Sequence, residues 1–219
     1  MRNLTFLGWY FSRDSYAGLR LLNRIKPRTS FDLDGAVIVD GFPRSGITFT
    51  VQSIKFQNPD IKILSHTHGL AVFRNKRFKG RQVLLLVREP VGSISSLYSR
   101  EGFNVRLCLL RYIVFYTMLP KPSNWLMYSA DNFDREVAKK LNEMGLSKRD
   151  SFSSDELESV KRNTVQSEIV FSGTADPVKI SIPSKEKSEL KAQNEKLVRS
   201  HKILLNLAQK AFDRYIDRG

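Results

Sequence analysis

Cysteine and histidine are scarce in this chain of 219 residues. It has one cysteine, Cys108, and three histidines. A single cysteine excludes an internal disulfide, and no set of cysteines and histidines has the spacing of a metal-binding motif. We therefore expect no metal site, and the composition suits a reducing compartment such as the cytoplasm.

The sequence also has no long apolar run. Its most apolar stretch, 107–119, is interrupted by Arg111 and is shorter than the roughly 20 residues that span a bilayer. We expect a buried or interfacial helix there, which leaves peripheral contact with a membrane open. Residues 1–16 mix aromatic, apolar and charged side chains and lack the continuous apolar core of a signal peptide.

Acidic residues are outnumbered by basic ones. Lysine and arginine number 36 against 22 aspartates and glutamates, which gives a formal net charge of +14. This surplus indicates an anionic partner such as a nucleotide phosphate, a nucleic acid, an acidic polysaccharide or an anionic membrane surface. The basic residues are scattered, as on an ordinary solvated surface, so charge alone does not choose among these partners.

Short apolar runs alternate with helical patterns from residue 36 onward. The runs predict strands over 36–40, 61–64, 82–87 and 125–128, and the periodic segments predict helices over 47–54, 91–100 and 133–144. This alternation predicts a single α/β domain with a central parallel sheet flanked by helices. Ligands of such sheets gather at the carboxyl ends of the strands. Three candidate segments fall there: 41–49, 65–69 and 88–96.

The last third of the chain has a different character. Residues 147–185 are rich in serine and charge, with a weak helical pattern over 155–162, and we expect this segment to be flexible. A long charged helix is predicted over 186–217. It carries apolar residues at intervals of seven, which both an oligomer seam and packing on the domain would produce, and we favour packing. The four residues are Leu190, Leu197, Leu204 and Ala211.

The segment Gly41–Phe49 has the glycine and threonine spacing of a P-loop but lacks the lysine of that motif. In a P-loop the glycines free backbone N–H groups to hold phosphates at a helix N-terminus, and the lysine reaches the outer phosphates. Ile47 stands at the lysine position, and the nearest cation is Arg44 inside the loop. The segment therefore predicts a phosphate-bearing ligand, but not a standard nucleotide triphosphatase.

Two segments together resemble the donor-binding motifs of the sulfotransferase family. Residues 42–49 resemble the loop for the 5′-phosphosulfate, and residues 87–96 resemble the motif for the 3′-phosphate, in which a serine follows an arginine by eight positions. These enzymes transfer a sulfuryl group from 3′-phosphoadenosine 5′-phosphosulfate (PAPS) to a hydroxyl or amine and release the bisphosphate PAP. The resemblance covers residues 36–146 and implies a P-loop-NTPase-like fold and metal-free, in-line transfer.

The resemblance assigns donor-binding roles within the loop. Arg44 would stabilise the leaving phosphate. Phe49 would replace the tryptophan that stacks on adenine, although a core-packing role is the alternative. The remaining loop residues would donate to the 5′-phosphate: Ser45, Gly46, Ile47 and Thr48.

The resemblance also assigns the 3′-phosphate and the general base. Arg88 and Ser96 would bind the 3′-phosphate, and Ser93, one helical turn earlier, could assist or replace Ser96. His66 lies 22 positions before Arg88, as the family's catalytic base does, and we prefer it. His68 is the alternative, because in an extended segment it would point along the same face.

Two features depart from the family pattern. Leu64 stands where these enzymes carry a lysine, and no late segment matches the family's Arg-Lys-Gly region that closes over the cofactor. Lys161–Arg162 or 171–174 could substitute for it. A P-loop kinase of a small molecule and an inactive module that binds nucleotides or polyanions are the alternative functions. The sequence does not choose between a carbohydrate acceptor and a lipid or small phenolic acceptor. We expect no nucleic acid as a partner.

Overall fold

The computed structural model describes residue 8 and residues 12–25, 32–129, 131–172 and 185–218. Within these residues the chain forms a sheet of four strands, in the order β2-β1-β3-β4, and each neighbouring pair is parallel. The strands are β1 (Val37–Gly41), β2 (Ile63–Ser65), β3 (Gln82–Val87) and β4 (Asn124–Met127). The predicted α/β class with a central parallel sheet flanked by helices is confirmed.

Helices connect and follow the strands. In chain order they are α1 (Tyr16–Ile25), α2 (Ile47–Gln57), α3 (Ala71–Arg74), α4 (Pro90–Glu101), α5 (Val105–Met118), α6 (Phe133–Glu143), α7 (Ser154–Ser172), α8 (Lys185–Ser200) and α9 (Lys202–Asp217). A 3₁₀ turn, Lys76–Phe78, follows α3. Among the described residues, no helix combines the length and the apolar character that crossing a membrane requires.

The two central strands are buried on both faces. All five residues of β1 and the last four of β3 are buried, which explains why both strands read as apolar runs in the sequence. Leu84 and Leu86 pack with α2 and α6 on one face, while Leu85 and Val87 pack with α5 and α9 on the other. The sheet is therefore the middle layer of three.

The register brings the strand ends together. Val39 pairs with Ser65 of β2 on one side and with Leu84 of β3 on the other. The segments that follow β1, β2 and β3 therefore leave the sheet at the same edge. The three candidate segments of the sequence prediction, 41–49, 65–69 and 88–96, begin at this edge.

The C-terminal third needs two corrections. In place of a weak helix over 155–162, α7 runs for 19 residues, from Ser154 to Ser172, and packs along α2. The rest of the segment predicted to be flexible, 173–184, lies outside the described residues. The single helix predicted over 186–217 is wrong, because the chain breaks at His201 between α8 and α9.

This break also separates the apolar residues spaced at seven. Leu197 on α8 is 37% exposed, whereas Ala211 on α9 is buried and Leu204 packs against the same apolar cluster as α5. Helix α9 lies against α5, and α8 lies against α4. The two residues of this series on α9, Leu204 and Ala211, therefore pack on the sheet domain, which is the alternative that we favour from the sequence. An oligomer stays a prediction.

Candidate functional site

The loop between β1 and α2 has a backbone that few residues adopt. Arg44 has a φ of 71° and Gly46 has a φ of 92°, both in the left-handed region. A Cβ atom at Gly46 would come within 2.4 Å of the Phe133 ring and 3.1 Å of the Tyr128 ring. Glycine is therefore required at position 46 both by backbone conformation and by the close approach of two aromatic rings.

The start of α2 is suited to an anion. Its N-cap is Gly46, which has no side chain to accept from the first N–H groups of the helix. The helix dipole adds positive potential at the same point. The Ser45 hydroxyl donates to the Phe42 carbonyl oxygen at 2.8 Å and is buried, so it braces the loop. Ile47 is 3% exposed and packs in the core below.

The two predicted donor-binding segments meet in space. Arg44 Nε donates to Ser96 Oγ at 3.0 Å, although the two residues are 52 positions apart. Arg88 Nη1 donates to the backbone carbonyl oxygen of Arg44 at 2.7 Å. The loop cation, the arginine after β3 and the serine of α4 are thus joined by direct hydrogen bonds, as their proposed common ligand would require.

Arg88 is held from several sides. Its guanidinium carbon lies 4.3 Å from the centre of the Tyr128 ring, which is within cation–π range. Its carbonyl oxygen accepts from the Tyr112 hydroxyl at 2.6 Å, and burial lowers the pKa of its side chain. Ser93 is fully buried and its hydroxyl points back to the same carbonyl at 3.5 Å. Ser96, and not Ser93, is therefore the serine that faces Arg44.

His66 lies beside the loop with both ring nitrogens engaged. Its Nε2 is 3.1 Å from Thr48 Oγ1 and its Nδ1 is 2.9 Å from Ser65 Oγ. Burial lowers the pKa of His66 to about 4, with Arg100 adding to the effect and Glu168 opposing it. The ring is therefore neutral at neutral pH, and one of its two nitrogens carries no hydrogen. That nitrogen can take a proton from a substrate only through its hydroxyl partner or after the hydroxyl moves away.

The two histidines are not arranged as the sequence predicts. The segment after β2 is not extended, because His66 has a φ of 59° and His68 a φ of 51°. Their rings lie 5.9 Å apart at 85° to each other. His68 Nδ1 is 3.0 Å from the Gly41 carbonyl oxygen, and burial, followed by the charge of Arg13, lowers the pKa of His68 well below its usual range. The His66 ring lies within hydrogen-bond distance of a residue of α2, Thr48, whereas the His68 ring lies beside the Gly41 carbonyl.

Asp40 is a buried carboxylate that sequence reasoning missed. It ends the apolar part of β1, and its oxygens accept from the backbone N–H groups of Gly41, Thr67 and His68 and from the Thr67 hydroxyl. Burial raises the pKa of Asp40 to about 6, while these hydrogen bonds act in the opposite direction. The carboxylate fixes the backbone that carries both histidines. A polar residue in a buried strand was the available signal.

Two further charged residues were missed. Glu168 on α7 is 3% exposed and lies 3.8 Å from Arg44 Nη1. Arg100 follows Ser96 by one helical turn on α4, so the two share a face. Burial, then the charge of Arg100, lowers the pKa of Arg44 to about 10, which keeps Arg44 protonated at neutral pH. The helical spacing from Ser96 could have identified Arg100, whereas no local pattern marks Glu168.

The remaining predicted residues lie at the margin of the site. Phe49 is partly buried and its ring is 5.9 Å from that of Phe133, which favours the core-packing alternative. Leu64 is fully buried in a separate apolar cluster. Lys161 is 55% exposed and pairs with Glu158, and its part in closing over a cofactor stays a prediction. The side chains of 171–174 lie outside the described residues.

A cleft of about 690 Å³ adjoins this edge of the sheet at the end of β4. It reaches the site through Tyr128, the ring on which Arg88 stacks, and its outer wall includes Lys139 and Lys140 of α6. The loop residues themselves do not line it. The cleft therefore borders the Arg44, Ser96 and Arg88 cluster and does not contain it.

Comparison with known proteins leaves the family open. No protein-family model, no curated protein and no solved structure matches this chain.

Proposed function

We propose that this chain is a PAPS-dependent sulfotransferase that acts on a hydroxyl or amine acceptor. The observation that carries the proposal is the contact between the two donor-binding segments, in which Arg44 bonds to Ser96 and Arg88 bonds to the Arg44 carbonyl. A ligand with phosphates at both its 3′ and 5′ positions would need cations from both segments within one site.

The residues present fit such a donor. Arg88 and Ser96 would hold the 3′-phosphate, and the uncapped N-terminus of α2 with the backbone of residues 45–48 would hold the 5′-phosphate. This P-loop-like use of the loop is part of the proposal. When bound, PAPS would supply the sulfuryl group, whose sulfur–oxygen bond to the phosphate breaks as the acceptor atom bonds to sulfur.

The chain's own residues would provide charge and a proton acceptor. Arg44 is protonated, and its side chain extends from the loop to Ser96 of α4. It would stabilise the negative charge that develops on the phosphate oxygen without a metal. His66 would take the proton of the acceptor through Nε2, after the Thr48 hydroxyl yields its place. His68 is the second candidate, with its Nδ1 directed to the Gly41 carbonyl.

Two features of the chain bear on the acceptor. The basic surplus supports a carbohydrate or another small anionic acceptor, and the apolar side chains of α5 support a lipid or phenol. Only part of α5 is exposed, including Leu110 at 45% and Met118 at 47%, which keeps peripheral membrane contact within the proposal. We place the enzyme in the cytoplasm and expect no nucleic-acid partner.

An inactive nucleotide- or polyanion-binding module is the second candidate. It is favoured by His66, because both ring nitrogens of the proposed base already have hydroxyl partners. A kinase is less favoured, since Ile47 occupies the lysine position within the core and the Glu89 carboxylate accepts from Gly92 N–H at the start of α4.

Calorimetry with PAP tests the proposal. We expect submillimolar affinity that is lost in Arg88→Ala and retained in Arg149→Ala, whose side chain is 65% exposed on the surface. Equal binding of any polyanion would refute a sulfotransferase site. Transfer of labelled sulfuryl to a panel of hydroxylated acceptors then separates the enzyme from the inactive module.

A further inference from the structure

Helix α7 brings a carboxylate to the site. Val160, Thr164 and Glu168 follow one another at intervals of four, which places them on one helical face, and all three are buried. This face packs against α2, the helix that begins at the loop. The buried face of α7 thus continues from an apolar residue to a carboxylate beside Arg44.

The contact between Glu168 and Arg44 is an ion pair without a close hydrogen bond. Glu168 Oε1 lies 3.8 Å from Arg44 Nη1, whereas Arg44 Nε donates to Ser96 at 3.0 Å. One edge of the guanidinium is therefore fixed by α4, and a terminal nitrogen faces a carboxylate on α7. Burying a charge is costly unless an opposite charge accompanies it, so each residue stabilises the other in this position.

Besides burial, charges of both signs act on Arg44: Arg100 and Arg88 lower its pKa, whereas Glu168 and Glu101 raise it, and Glu101 also pairs with Arg100 at 3.2 Å. Arg88 bonds to the Arg44 backbone, and Arg100 lies on the Ser96 face of α4. Glu168 is paired with Arg44 and also acts on the pKa of His66. The Glu168 carboxylate offsets the repulsion that Arg44 experiences from the two other arginines, but it opposes the entry of a second anion.

We propose that Glu168 is a positioning residue, the counter-ion that holds Arg44 in the loop before the donor binds and that gives up the ion pair when a phosphate reaches Arg44. This inference rests on the proposed function for the identity of the donor. It also gives the late part of the chain a role at the site although the family's Arg-Lys-Gly region is missing. Helix α7 carries the carboxylate that an incoming phosphate displaces from Arg44.

The proposal makes affinity and turnover change in opposite directions. Without the carboxylate the site is more positive, so an anion binds more tightly. Without its counter-ion Arg44 is held less firmly, so the charge is less well placed in the transition state and turnover falls. A purely structural role for Glu168 would weaken both binding and turnover.

Glu168→Gln is the informative variant, and Glu158→Gln is its matched control because Glu158 lies on the same helix with 68% of its side chain exposed. We expect Glu168→Gln to bind PAP about tenfold more tightly and to lose at least about tenfold in kcat, with a lower KM for PAPS. Glu168→Asp should recover part of kcat. Unchanged or weaker PAP binding in a folded Glu168→Gln variant would overturn the proposal.

Inorganic phosphate separates this proposal from the proposed function. If Glu168→Gln binds inorganic phosphate more tightly while the native chain shows no preference for PAP, the counter-ion role stands and the PAPS donor is wrong. If the native chain prefers PAP and Glu168→Gln does not differ from it, the donor stands and the counter-ion role is wrong.

Hydrogen exchange decides the case in which Glu168→Gln does not fold. On adding PAP, or inorganic phosphate, to the native chain, we expect faster amide exchange in the last two turns of α7, because the ion pair to Arg44 is given up. Slower or unchanged exchange there would overturn the proposal.

Discussion

Arg44 Nε and Ser96 Oγ are 3.0 Å apart and connect the loop between β1 and α2 to α4 across 52 positions of sequence. The hydroxyl accepts from the guanidinium and keeps its own hydrogen available for a ligand. Ser96 therefore orients the loop cation and can donate to a phosphate at the same time. The contact brings together the two segments that the sequence predicts to bind the donor.

Replacing Ser96 tests this double role. We expect Ser96→Ala to raise the Kd for PAP about tenfold, because a hydrogen bond to a charged group is lost. Ser93→Ala is the control, because Ser93 lies on the same helix as Ser96 but its hydroxyl points to the Arg88 carbonyl, before the helix begins. Calorimetry on both variants measures the difference, and an equal loss in the two would contradict the assignment of Ser96.

Gly46 should be far less replaceable than another glycine of similar backbone. Gly46→Ala brings a Cβ within 2.4 Å of Phe133 at a φ of 92°, whereas Gly80→Ala has a φ of 85° and no atom within 4 Å. We expect losses in unfolding free energy of about 3 kcal/mol and about 1 kcal/mol respectively. Urea unfolding measures both. Equal losses would show that backbone conformation alone requires the glycine.

The sheet could be predicted from the sequence, and the detailed site only in part. Strands such as β3 are buried on both faces and so read as apolar runs, which made the strand ends and their common edge predictable. His66 and His68 adopt the left-handed conformation, which is uncommon for residues other than glycine. No periodic pattern in the sequence marks this conformation. Glu168 reaches Arg44 through the packing of distant helices, and local pattern does not encode such a contact.

The two histidines should differ in activity. His66 contacts Thr48 in the first turn of α2, whereas His68 contacts the Gly41 carbonyl and lies on the Asp40 side. We expect His66→Ala to abolish sulfuryl transfer and to leave the Kd for PAP within about twofold. Single-turnover assays with labelled PAPS measure this. Retained turnover in His66→Ala, with loss in His68→Ala, would move the base to His68.

Stability should fall as the pH is lowered from about 6.5 to about 4. In the folded state burial lowers the pKa of His66 to about 4 from its ordinary value of 6.5. The unfolded chain therefore binds more protons in this window, and protonation favours unfolding. Asp40 acts in the opposite sense, because its raised pKa of about 6 makes the folded chain bind the extra proton above pH 3.8. His68, shifted in the same direction as His66, adds to the fall.

Two variants isolate these contributions. We expect the fall between pH 6.5 and pH 4 to be shallower in His66→Gln, by about 1 to 3 kcal/mol of unfolding free energy. In Asp40→Asn the fall should be steeper, since the opposing carboxyl is removed. Urea unfolding at several pH values gives both slopes. A His66→Gln variant with the same slope as the native chain would show that the ring is not kept neutral by burial.

The ion pair of Arg111 with Asp14 should matter more than any surface pair. Arg111 is 2% exposed, and its two terminal nitrogens donate to Asp14 at 2.6 and 2.8 Å, while Nη2 also reaches the His68 carbonyl at 3.2 Å. This arginine therefore fixes the segment before α1 against the backbone that carries the histidines. Removing one partner of a buried pair leaves the other charge without compensation.

We expect Arg111→Met to lower the unfolding free energy by about 3 kcal/mol, and Arg149→Met, at an exposed pair, by about 0.5 kcal/mol or less. The Asp14→Asn variant and the double variant complete a double-mutant cycle, in which the two single losses should exceed the loss in the double variant. Additive losses would mean that the two residues do not stabilise each other. In that case Arg111 would stabilise the fold through its hydrogen bond to the His68 carbonyl. Asp14 would do so through the hydrogen bond that it accepts from the Leu70 N–H at 2.8 Å.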